Sequence, residues 1–155
     1  MSSDRLVRLL AAIDAVNRND PVRVEADGGR MARAELYGRR MSARLKAFRP
    51  DAPEALEIAA RAQHIERWVS PRESYEAGRV GYLKWRKDLQ AHHAQRTGEL
   101  MAAEGYGSEE IGRVAALLKK ERLKYDADVQ CLEDVACLVF LEFEAPAFIA
   151  KHDDG

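Results

Sequence analysis

Two acidic side chains open a stretch that is otherwise almost wholly apolar, residues 131–143, CLEDVACLVFLEF. A helix apolar on nearly every side belongs in a core. At helical spacing Asp134 stacks with Leu138 and Leu141, which predicts a carboxylate pointing into protein. Such a carboxylate needs a cation, a metal or several donors. His93 is the second candidate. Its neighbours at helical spacing are Leu89, Thr97 and Leu100, with Tyr82 further back, so it faces inward, whereas His92 turns away with Trp85, Arg96 and Glu99 and reads as surface. An inward imidazole on an apolar stripe is either a satisfied core residue or a ligand and proton carrier.

Glu66 falls among Ala55, Ala59, Ala62 and Val69, the apolar arc of its helix, with Arg67 adjacent and Arg40 and Arg44 on the preceding helix. That arrangement makes either a buried structural ion pair or an acid–base group. His64 lies beside Arg61 and Arg67 on a more polar side, where spacing alone makes it a surface residue. In residues 71–86, Arg72, Arg79, Lys84 and Arg86 can clamp phosphate or carboxylate, and Tyr75, Tyr82 and Trp85 can stack on a base or simply pack a long loop. The chain has no Gly-rich phosphate loop, no His-Glu-x-x-His and no Ser elbow.

The elements that must position these groups are helical. With 155 residues, 46% hydrophobic and 33% charged, the chain is the size of one domain with a real core. The first helix is expected over 4–17, after Ser2 and Ser3 as caps, and Asp20-Pro21 breaks it. Residues 20–34 hold Asp27-Gly28-Gly29 and form a small hairpin or a loop. A second helix covers 34–48. A third starts from Asp51 as N-cap, with Pro53 and Glu54 in its first turn, and runs to Trp68. A fourth spans 79–104, stopped by Gly105-Tyr106-Gly107, and Ser108 caps a fifth that ends near Lys119 and Lys120. The acid-bearing helix is sixth, and Pro146 starts a short final turn. Six or seven helices in one domain over 1–155 make an all-α bundle.

Composition narrows the function classes. A net charge of −1 argues against broad nucleic-acid binding. Residues 30–49 nevertheless carry seven cations against Glu35 alone, which is a solvated helix face or an anion-facing wall. No apolar run is long enough to span a bilayer, and the N-terminus has no basic segment leading into an apolar one. Cys131 and Cys137 match neither a zinc motif nor an easy disulfide, so buried free thiols and the cytosol are expected.

The segments ELYGRRMSARL (35–45), AARAQHIERW (59–68), GRVGYLKWR (78–86) and LEDVACLVFLE (132–142) together resemble the bacterial domain of unknown function 4202 family over nearly the whole chain. Members of that family continue past the equivalent of Lys151-His152-Asp153-Asp154, so the resemblance implies a chain short at its C-terminus. More distantly, the pattern is similar to the histidine–aspartate (HD) phosphohydrolase superfamily, all-helical proteins that bind metal. This likeness puts His64 at the His of their His-Asp pair, His93 at the His of the extended segment and Asp134 at the late Asp. It implies one divalent metal (Mn, Fe or Zn) on His64, His93 and Asp134. Two departures stand out: Ile65 occupies the bridging Asp position, and the early helix has Tyr37 and Arg40 but no His.

Two functions follow. The first is a divergent metal-dependent phosphohydrolase acting on a nucleotide or other phosphate ester, with Glu66 completing the metal site and Arg40, Arg72 and Arg79 neutralising the phosphate. The second is a non-catalytic domain that binds a small anionic ligand or a partner protein.

Overall fold

The computed structural model describes residues 3–146 except Asp27. It is an all-α domain with one small hairpin. The elements are α1 (Asp4–Asn17), β1 (Arg23–Ala26), β2 (Gly29–Ala32), α2 (Arg33–Phe48), α3 (Glu54–Arg61), α4 (Arg79–Ala103), α5 (Ser108–Leu118) and α6 (Ala127–Val139). Two short 3-10 turns, Arg67–Val69 and Arg72–Ser74, link α3 to α4, and a π-helical turn, Phe140–Glu144, prolongs α6. The expected Pro146 turn falls mainly outside the described residues, as do Lys151, His152, Asp153 and Asp154.

Local chemistry sets most boundaries. Ser3 Oγ accepts from the Leu6 amide and caps α1. Asp20 accepts from the amides of Val22 and Ala34, and so fixes both the start of the hairpin and the first turn of α2. The hairpin pairs Arg23 with Ala32 and Ala26 with Gly29, turning through Gly28 at φ 85°. Asp126 caps α6 by accepting from Asp128 and Val129. The expected Ser108 cap belongs instead to Gly107, whose amide donates to Glu110 Oε2.

Helix α3 is the hub. It is only eight residues long, and it packs on α1, α2, α5 and α6. Leu56, Ile58, Ala59 and Ala60 are fully buried, and the alanines let neighbouring helices approach from several sides. The closest approach is at Gly38 of α2, where a Cβ would meet the Arg61 carbonyl oxygen at 2.8 Å. Gly38→Ala is therefore expected to force the two helices apart and cost about 1–3 kcal/mol. Urea unfolding checks this, and an unchanged midpoint would mean that the contact yields without strain.

One expected boundary is corrected. α3 ends at Arg61, not near Trp68. No breaker residue stops it. Tertiary partners capture the backbone groups that a further turn would have used: His93 Nδ1 donates to the Ile65 carbonyl at 2.7 Å, and the Glu66 amide donates to Asn17 Oδ1 at 3.2 Å. Glu66 itself sits in the left-handed region, at φ 54°. A second correction concerns α6. Its buried positions are Val129, Cys131, Leu132, Val135 and Val139, while Cys137 is exposed. Helical spacing predicts that the arc carrying Asp134, Leu138 and Leu141 faces inward. It faces outward, since α2 and α3 cover the opposite side.

Candidate functional site

The break after Arg61 brings His64 beside α4. Residues 62–66 form a chain of turns, and the His64 ring lies flat on Tyr37 of α2, with centroids 3.7 Å apart and planes within 8°. His93 of α4 stands 6.5 Å away, ring centre to ring centre. Its Nδ1–H bond to Ile65 fixes the tautomer and leaves the Nε2 lone pair free. His93 is 5% exposed, as inward-facing spacing predicts. Burial pushes its imidazole down to about 4, against the Ile65 carbonyl, which raises it, and with His92, Arg67 and Lys120 adding to the depression. Burial also holds His64 well below the usual range, helped by Arg67 and His93. Both rings are neutral near pH 7.

A cavity of about 240 Å³ opens between these rings and the end of α5. Its wall includes His64, His93, Trp85, Arg67, Arg86 and Lys120, and no carboxylate. The Arg67 guanidinium lies 5.3 Å from the Trp85 ring centre. Lys120 follows α5 in the left-handed region, at φ 58°, where the end of the helix turns its side chain back toward the bundle. Its ammonium donates to Gln63 Oε1 at 2.9 Å and pairs with Glu133 at 3.2 Å. Burial pulls this ammonium down to about 8, with Glu133 opposing. Arg86 makes no hydrogen bond or ion pair within the described residues. A larger cleft of about 860 Å³ adjoins the cavity and shares His64, Arg67 and Trp85 with it; Arg33, Glu73 and Glu144 also line it.

The residues singled out from the sequence divide. His64 and His93 come together. Asp134 does not join them: it is exposed and accepts from Gln130 Nε2 one turn earlier. The inward acid of that pair is Glu133, which meets Lys120. Glu66 is paired as expected, but with His92 at 2.9 Å and Arg96 at 3.4 Å rather than with Arg40 or Arg44. His92, which spacing reads as plain surface, is thus a hydrogen-bond partner of Glu66. Arg40 covers the Phe143 ring at 3.9 Å, on the rim of a separate cavity. Arg72 donates to the carbonyls of Tyr75, Glu76 and Gly78 and so holds the loop before α4. Arg79 is exposed and lines none of these cavities. Three of the seven cations of the 30–49 stretch are used in ion pairs: Arg39 with Asp14 and Glu35, Arg44 with Glu142 and Arg49 with Asp128.

Arg67, Arg86 and Lys120 were not singled out together. The only sequence signal for them was the density of cations in GRVGYLKWR and at the end of the fifth helix.

The family model described as domain of unknown function (DUF4202) matches residues 7–155. The chain belongs to this family. No curated protein and no solved structure matches it. In this DUF4202 protein the metal implied by the likeness to HD phosphohydrolases can be tested on the donor set. His64 and His93 offer two imidazoles, but among the described residues no group of three or more His, Cys, Asp or Glu side chains is placed to hold an ion. Among the described residues the donor set does not fit a three-ligand centre. No helix of the described residues is long and apolar enough to cross a membrane.

Proposed function

We propose that the protein binds a small phosphate-bearing anion in the cavity walled by Arg67, Arg86 and Lys120. One observation carries this reading: three cationic side chains line a cavity of about 240 Å³ whose wall holds no carboxylate, and of the three only Lys120 has an acid partner, Glu133, which lies outside that wall. A concave wall of one sign concentrates the field on a counter-ion, and arginine matches the oxygens of phosphate better than lysine does. The neutral imidazoles of His64 and His93 supply hydrogen bonds without competing for that charge. The volume suits a phosphoryl group with few further atoms. The adjoining cleft, with Arg33 and the face of Trp85, gives room for the rest of the ligand.

The test is thermal unfolding in the presence of inorganic phosphate, pyrophosphate and a nucleoside monophosphate. The midpoint is expected to rise with ligand concentration. Because Arg86 has no partner to lose within the described residues, Arg86→Ala is expected to keep the unliganded midpoint. It should weaken binding about 10- to 100-fold, the worth of one charge-assisted contact. No shift from any of the three anions would contradict the reading.

A further inference from the structure

The same cavity holds more than a charge trap. We infer that His93 is a phosphoryl acceptor, with Nε2 as the nucleophile and Lys120 as the proton donor to the leaving group. The inference rests on the phosphate reading above and names the chemistry of that site.

Four observations carry it. First, His93 Nδ1 donates to a backbone carbonyl, which accepts only, so the free lone pair must be on Nε2. This is the arrangement a nucleophilic imidazole needs, because the carbonyl also stabilises the positive charge that appears on the ring once Nε2 has bonded. Second, Nε2 has no partner within the described residues, and His93 forms part of the cavity wall. The other two rings are engaged differently: His92 Nε2 is held by Glu66, and His64 is stacked on Tyr37 with Arg67 along its edge. Third, Lys120 lies on the same wall with two of its three ammonium hydrogens on Gln63 and Glu133, which leaves one for a ligand. An ammonium drawn down toward neutrality is suited to give and take back a proton. Fourth, Glu66 and Lys120, both non-glycine, both take left-handed backbone. One follows the carbonyl that orients His93, and the other is the proposed acid. Strained backbone that the surrounding fold maintains is characteristic of sites with a task.

The step balances as follows. Nε2 attacks phosphorus of a phosphate monoester, the N–P bond forms, and the P–O bond to the leaving group breaks. The electron pair departs on that oxygen, which takes a proton from Lys120 and leaves as an alcohol. The ring, protonated at Nδ1 and phosphorylated at Nε2, is held by Ile65, while Arg67 and Arg86 face the phosphoryl oxygens. Water then attacks phosphorus and gives its proton to the neutral Lys120. The P–N bond breaks with its electrons returning to Nε2, and phosphate is released. Ester and water become alcohol and phosphate, and the protein is unchanged.

The experiment uses the full chain and two probes. Phosphoramidate carries a leaving group that is already protonated, so it loads His93 without help from Lys120. Ethyl phosphate needs the acid. Intact-mass and peptide analysis at alkaline pH should find one acid-labile phosphoryl group on His93 after phosphoramidate treatment. His93→Asn should not acquire it, although its amide can still donate to Ile65 and keep the fold. Lys120→Met loses one binding contact as well as the acid, so it should load from phosphoramidate about 10-fold more slowly than the parent but hydrolyse ethyl phosphate about 1,000-fold more slowly, a difference of about 100-fold that a binding role alone would not produce. If phosphate raises the unfolding midpoint but His93 is never modified, or if His93→Asn is labelled equally, the inference fails and the binding function stands. If phosphate neither binds nor transfers, both fail.

Discussion

Arg61→Ala is expected to lower the unfolding free energy by about 3–5 kcal/mol, the cost of leaving one member of a buried ion pair alone. Arg61 donates to both oxygens of Asp14, at 2.8 and 2.6 Å, and to Ser42 Oγ at 3.0 Å. The side chains of Asp14 and Arg61 are 6% and 13% exposed, so water cannot replace what is lost. The three bonds tie α1, α2 and α3 together near the Gly38 crossing, at the residue that ends α3. Arg39 also reaches Asp14, at 3.3 Å, and places the loss toward the lower end of that range. The double variant Asp14→Leu with Arg61→Met removes both charges together and should recover most of the loss. Urea titrations of the parent, the two singles and the double measure this. A loss below about 1 kcal/mol in Arg61→Ala would mean the pair is as weak as a surface bridge.

Acid should destabilise the protein well before its carboxylates titrate. His93 is held down to about 4 in the folded state from an ordinary 6.5, chiefly by burial. Between those values the unfolded chain binds the extra proton, so stability rises with pH through that window. The contribution is complete above pH 6.5 and is lost as pH falls toward 4. The displacement of His93 from 6.5 to about 4 corresponds to about 3 kcal/mol at 1.36 kcal/mol per pH unit. His64, displaced in the same direction, adds to it. Asp126, held down at about 2 by Arg113, acts with the same sign but at lower pH. Unfolding free energy measured from pH 7.5 to 4 should therefore fall steeply in the parent and much less in His93→Asn. A parent curve that is flat down to pH 4.5 would contradict a buried neutral imidazole.

Much of the fold was legible in the sequence because its signals are local. Ser3, the Gly28-Gly29 pair of the hairpin and the Gly105 stop lie within a few residues of the boundaries they set. Local signals could not end α3, because the groups that end it, Asn17 and His93, come from other helices. His93 was placed inward correctly because its flanks, Leu89 and Thr97, are both buried and set an unambiguous stripe. Asp134 was misplaced because α6 is apolar nearly all round, and a helical wheel cannot choose the buried arc of such a helix. Only the packing of α2 and α3 decides it, and it leaves Phe140 and Leu141 exposed. The cations of the cavity were the least visible part. Arg67, Arg86 and Lys120 come from three separate segments, and Lys120 turns inward only because its backbone takes a left-handed conformation that nothing in a lysine announces.

The most direct measurement is a crystal structure with tungstate, a heavy-atom stand-in for phosphate, located by its anomalous scattering. The account predicts one strong peak in the cavity, within hydrogen-bonding reach of Arg67, Arg86 and Lys120 and beside His93 Nε2, and its loss in Arg86→Ala. Tungstate bound elsewhere with this cavity vacant, at a concentration that saturates the protein, would contradict it.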